Sequence, residues 1–116
     1  LSMIKGSFKR TGSGRIVSFE LTGHAEAGPY GSDVVCAAVS ALAISTVNGI
    51  DALAGFEPIV EVDDVEGGYL YVEMLTTVNQ EQKNIAQILL ENLLLGLQSI
   101  ENENTEFIQI KTITEK

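Results

Sequence analysis

"DVVCAAVSALAISTVNGIDALAG", residues 33 to 55, is where the chain changes period. On either side of it apolar and polar residues alternate in twos, the pattern of strands with one buried face. Inside it there is no proline and alanine is frequent. Apolar residues fall nearly all round a helical wheel, which predicts a largely buried helix. Asp33 suits the N-cap and Gly55 the C′ position. Gly49 is an interior weak point, costing about 1 kcal/mol relative to alanine.

Working outward, "MIKGSFKR" (3–10) and "RIVSFELTG" (15–23) flank "TGSG". Ile16, Ser18 and Glu20 alternate with Val17, Phe19 and Leu21, as in a strand with one buried face. "TGSG" reads as a hairpin turn and not a phosphate loop, because a strand follows it and no helix does. "PIVEVDD" and "YLYVEML" make a second hairpin around "VEGG". Asn79 to Asn104 is a second helix. Its stripe of Ile85, Leu89, Leu93, Leu97 and Ile100 is widened by Leu90, Leu94 and Leu95, so the helix is sandwiched in the core or forms a subunit contact. "FIQIKTI" is the last strand. The order ββαββαβ predicts an α+β fold, with an antiparallel or mixed sheet packed with two helices. Residues 1–116 form a single domain on size grounds. Leu1 and Ser2, ahead of Met3, read as a cloning remnant.

Composition narrows the function classes. One cysteine cannot form an internal disulfide, which excludes a cross-linked secreted scaffold. No basic-then-apolar leader opens the chain, so no signal peptide is expected. The uncharged run Val34 to Ile50 is short and carries several polar residues, so no membrane span is expected and the domain reads as soluble and cytoplasmic. The net charge of −9, with seven basic residues in all, argues against direct nucleic-acid binding. An acidic surface favours basic partners by long-range steering, or serves solubility alone.

The chemistry-bearing residues cluster around "GHAEAGPYGSDVVCAA", residues 23 to 38, which hold the chain's only histidine and only cysteine. With Asp33 as cap, Cys36 stands in the first helical turn, where free N–H groups and the helix dipole stabilise a thiolate. His24 ends a strand on the other lip of the loop. Imidazole beside a thiol serves as base or ion-pair cation, and the helix N–H groups could hold an oxyanion. The plain alternative is a small buried cysteine and a surface histidine.

The run Gly-His, a short glycine-containing loop, then Asp-x-x-Cys-Ala-x-x-Ser resembles the signature of the ribosomal-processing cysteine proteases, the Prp family. The likeness extends over the whole chain. It implies a cytoplasmic bacterial endopeptidase, dimeric, that removes a short N-terminal extension from a large-subunit ribosomal protein, number twenty-seven, cutting after an aromatic residue in a hydrophobic segment. It further implies Cys36 as nucleophile and His24 as general base, with Asp33 and Ser40 as the remaining polar members. Asp33 either caps the helix or orients His24. Ser40, one turn beyond Cys36, either hydrogen-bonds near the thiol or bonds back to its own helix. Gly23 and Gly31 read as hinges that let the loop open for a peptide. Two rivals stand beside this reading: a small amidase using the same dyad, and a non-catalytic ribosome-assembly adaptor.

Other groups are weaker. Asp63 and Asp64 precede a Gly-Gly turn with no histidine partner and read as solvated turn residues. One cysteine and one histidine are too few for a zinc site, and "VEGG" lacks the spacing of a calcium loop. No metal and no cofactor is expected.

Overall fold

β1 (Ile4–Arg10) and β2 (Ile16–Thr22) form the first hairpin. The computed structural model describes residues 3–23, 30–63 and 68–115, with the backbone alone over 30–33. The hairpin departs from strict alternation. Lys9 pairs with Ser18 but Arg10 pairs with Ile16, so Val17 is an extra residue on β2. That bulge turns Ile16 to the same side as Phe19, and Ile16 is fully buried rather than sharing the side of the sheet that carries Ser18 and Glu20. Gln87 completes the distorted ladder: its amide nitrogen donates to the Ile16 carbonyl at 2.6 Å, and its oxygen accepts from the Ile16 N–H at 2.8 Å.

β3 (Ile59–Val62) and β4 (Tyr69–Glu73) form the second hairpin, and β5 (Ile108–Thr114) closes the chain. The sheet order is β3-β4-β2-β1-β5. β5 runs parallel to β1 while the other pairs are antiparallel, so the sheet is mixed. One face carries Ile4, Phe8, Phe19, Leu21, Val72 and Ile108 into the core. Phe8 and Phe19 pair across β1 and β2 with rings stacked at 5.4 Å. Such a contact adds about 0.5–1.5 kcal/mol beyond its area burial.

Both helices contribute to this core. α1 (Tyr30–Gly49) continues into a wider π-helical turn, Ile50–Ala54. Gly55 ends it with φ 79°, a left-handed conformation, and its N–H donates back to the carbonyls of Ile50 and Asp51. Val35, Val39, Ala43, Thr46, Ile50 and Ala54 form the buried stripe. The Thr46 hydroxyl is satisfied by the Leu42 carbonyl at 2.8 Å. By length and composition Val34–Ala54 could also cross a membrane; here that stripe packs into the protein core.

α2 (Gln80–Glu103) starts and stops where expected. Asn79 and Gln82 make a reciprocal capping box, each side chain accepting from the other's backbone N–H. Its buried stripe is Ala86, Leu90, Leu93, Leu94 and Leu97. The expected stripe is therefore rotated: Leu93 and Leu97 are central, and Ile85, Leu89 and Ile100 are half-buried flanks. Arg10 ties β1 to this helix through both carboxylate oxygens of Glu91, at 2.5 and 2.9 Å.

Candidate active site

α1 begins at Tyr30, three residues ahead of the expected cap. Asp33 is thus the fourth residue of the helix and not its N-cap, Gly31 is the second, and Cys36 is the seventh. The competing signal is Pro29, directly ahead of Tyr30 in the sequence. Proline is favoured at a helix start because its missing N–H and fixed φ cost nothing there. The shift matters chemically. The unpaired N–H groups of a helix belong to its first four residues, and the dipole effect fades within the first turn. Cys36 lies beyond both, so the helix terminus does not supply the thiolate or oxyanion stabilisation expected of it.

The face of α1 that carries Cys36 is retained. Asp33, Cys36 and Ser40 are spaced three and four apart, which places them along one side of the helix. Cys36 is half-buried against the core and Ser40 is exposed. Cys36, Val39, Ser40, Ala43 and Ile44 form one wall of a groove of about 260 Å³. The opposite wall comes from the sheet: Ile4, Leu21 and Gly23 at one end, Val62, Tyr69 and Leu70 at the other. Pairing explains the convergence, since Leu70 lies opposite Leu21 across β4 and β2, and Val62 opposite Leu70 across β3 and β4. A thiol on the wall of a mostly apolar groove can attack a group whose neighbouring side chain is apolar.

Gly23 follows β2 and immediately precedes His24. Its φ is +78°, and a Cβ there would stand 2.3 Å from the carbonyl oxygen of Met3. Glycine is required on both counts. It fixes where the chain leaves the strand, on the rim of the groove that holds Cys36. His24 itself lies outside the described residues, as does Asp64.

The second hairpin adds polar groups that sequence reading did not single out. The Tyr69 hydroxyl donates to Glu20 at 3.2 Å, and the Tyr71 hydroxyl to Glu73 at 2.6 Å. Desolvation and the Glu20 carboxylate raise the Tyr69 phenol above its ordinary value, and the hydrogen bond to Glu73 raises Tyr71, so both stay protonated donors. Tyr69, Val62 and Leu70 belong to the groove only through strand order, which the local sequence does not encode. A larger cavity, about 440 Å³, lies where β2 begins and β4 ends, lined in part by Lys9, Arg15 and Lys83. It contains neither thiol nor imidazole. Among the described residues no cluster of three metal-ligating side chains occurs.

Comparison with known proteins identifies the family. The model of the family "Cysteine protease Prp" matches residues 3–109. The ribosomal processing cysteine protease Prp of Bacillus subtilis (strain 168) is 36% identical over 110 residues, covering 95% of this chain and 97% of its own. The crystal structure of SMU.848 from Streptococcus mutans superposes with a TM-score of 0.87 at 38% identity, over 98% of this chain and 97% of that one. An essential ribosomal processing protease Prp from S. aureus, solved with a covalently linked product peptide, gives a TM-score of 0.81 at 34% identity, over 95% and 99%. These relatives set aside the non-catalytic adaptor. The chain belongs to the Prp family and is a cysteine protease.

Proposed function

We propose that this protease removes the short N-terminal extension from the precursor of large-subunit ribosomal protein twenty-seven, in the cytoplasm, during ribosome maturation. One observation carries the reading: the half-buried thiol of Cys36 opens onto an apolar groove whose rim includes Gly23, the residue joined to His24. Such a groove suits the apolar or aromatic side chain that precedes the cut. The S. aureus relative with its covalently linked product peptide supports covalent catalysis.

In this mechanism His24 takes the proton of Cys36, and the thiolate adds to the scissile carbonyl carbon. The tetrahedral intermediate collapses, the C–N bond breaks, and the imidazolium gives its proton to the departing amine. Water, deprotonated by the same imidazole, then hydrolyses the thioester and releases the second product. Asp33, one turn ahead of Cys36, orients the imidazole, and Ser40 hydrogen-bonds near the thiol. Gly23 is wedged against Met3 and stays fixed. Gly31, the second residue of α1, is then the hinge that lets the loop open for a peptide.

The same reading includes a homodimer. Ile88 and Leu95 lie seven residues apart on α2 and are 70% and 63% exposed, and Leu53 on the π-turn is 65% exposed. Apolar residues left that open on the helical layer suit a partner copy. The net charge of −9 steers the basic body of the ribosomal protein toward the groove.

Incubation with the extended ribosomal protein, followed by intact mass, tests the proposal. Wild type should release the extension, while Cys36→Ala and Cys36→Ser should leave it in place with the fold intact by circular dichroism. Turnover by Cys36→Ala near the wild-type rate would remove Cys36 from the mechanism.

A further inference from the structure

β3 is the edge of the sheet next to the nucleophile's groove, and it pairs with β4 alone among the described strands. Natural edge strands are commonly blunted by lysine, proline or a covering element. β3 has neither residue type within Ile59–Val62, and Glu61 is its one charged residue. All four of its residues are exposed, including Ile59, Val60 and Val62. Their orientations follow from the register. Val60 lies opposite Val72, which is buried in the core, and Val62 lies opposite Leu70, which lines the groove. Val60 and Val62 therefore share the side of the sheet that bears Cys36, while Ile59 and Glu61 share the other.

We propose that β3 is the docking edge for the substrate backbone: the peptide binds in extended form as a sixth strand, hydrogen-bonded to β3. This inference rests on the protease reading of the groove and adds how the substrate is held. Continuity argues for that occupant. Val62 is part of the same groove wall as Leu70, facing Cys36 and Ser40 on α1. A peptide stretched along the edge strand thus runs into the space beside the thiol. Strand addition gives affinity through main-chain bonds and selectivity through alternate side chains. Every second substrate residue then meets Val60 and Val62, which favours apolar residues at alternate positions. At about 3.3 Å per residue, β3 covers roughly four substrate residues.

The probe is a synthetic peptide spanning the precursor's cleavage junction, N-methylated at one amide at a time. Each methyl group removes one donor and obstructs one side of the added strand. KM should rise about tenfold at alternate amides, with smaller changes between them, because only every second N–H faces β3. Hydrogen exchange on Cys36→Ala with the unmodified peptide should locate the contact, protecting alternate amides within residues 59–62 by at least about tenfold. A parent peptide that is not cut overturns the protease reading, and this inference with it. A parent that is cut, with a flat N-methylation profile and unprotected β3 amides, overturns this inference alone. Protection of β3 that rises with protein concentration in the absence of peptide assigns the edge to a second copy and likewise overturns it.

Discussion

Replacing Gly23 with alanine should damage both the fold and the site, and the two effects can be separated. At φ +78° an L-residue is strained by roughly 1–2 kcal/mol. The new Cβ would also stand 2.3 Å from the Met3 carbonyl oxygen, about 0.7 Å closer than the 3.0 Å that real Cβ atoms keep. The obstacle is backbone, so the end of β2 must move off β1 rather than a side chain turning aside. Relief of such overpacking costs about 1–3 kcal/mol. The total, about 2–5 kcal/mol, should lower Tm by roughly 8–20 °C in a domain of this size. The displaced segment leads directly to His24. A misplacement near 1 Å can cost about a hundredfold in rate, so kcat/KM should fall by about ten- to a hundredfold. Gly14→Ala supplies the comparison. Its φ is +94°, but nothing lies within 4 Å of the added carbon, and it sits in the β1–β2 turn. It should lose only the strain, about 1–2 kcal/mol, and keep its activity. Scanning calorimetry and peptide cleavage at 20 °C measure both quantities. A Gly23→Ala enzyme with Tm within 2 °C of wild type and kcat/KM within twofold would refute the reasoning.

Three further outcomes are expected. His24→Ala should cut at least about a hundredfold more slowly, the lower end of general acid–base contributions, and alkylation of Cys36 by iodoacetamide at mildly acidic pH should slow with it; unchanged alkylation and cleavage would defeat the dyad. Leu95→Glu should convert a dimer to a monomer in light scattering without loss of fold, whereas an unchanged mass would move the interface off this face of α2. Glu91→Gln should cost at most about 1 kcal/mol near neutral pH, because the pair is partly exposed to solvent. The Arg10 hydrogen bonds hold the Glu91 carboxyl below the ordinary carboxylate range, so its contribution is present above the unfolded pKa and fades as pH falls through the folded one. The Tm gap between the two proteins should therefore close on acidification below about pH 4. A gap constant from pH 7 to pH 3 would contradict that account.

Where an element's ends depend on local chemistry, the sequence is legible. Gly55 closes the first helix and Asn79 opens the second because a left-handed cap and a capping box each need only a few neighbouring residues. The start of α1 is less legible because two signals compete within five residues. Asp33 is a good cap, but Pro29 allows an earlier start. The bulge at Val17 has no local signature. It depends on which residue of β1 meets Ile16, and its backbone groups are completed by Gln87, 71 residues away. The groove is non-local for the same reason. Val62 and Leu70 read only as strand residues until β4 is known to lie beside β2.

The position of α1's start also changes how the motif can work. If Cys36 stood in the first turn, the helix terminus could activate the thiol, and His24 would assist. With Cys36 as the seventh residue, that contribution is largely gone. In the proposed mechanism the remaining route to a thiolate is proton transfer to His24, which follows Gly23 directly in the sequence. Gly23 cannot accept a side chain and is held against Met3, so the chain's exit from β2 toward His24 is fixed by backbone packing. Cys36 is fixed independently, by the Val35, Val39 and Ala43 stripe that anchors its helix. Cys36 and the strand that leads toward His24 are thus braced separately. That division explains why the two protein changes expected to hurt catalysis most without touching the thiol, Gly23→Ala and His24→Ala, are neighbours in sequence yet should fail differently. The first should show a lowered Tm with a thiol that still alkylates, and the second a normal Tm with a thiol that alkylates more slowly.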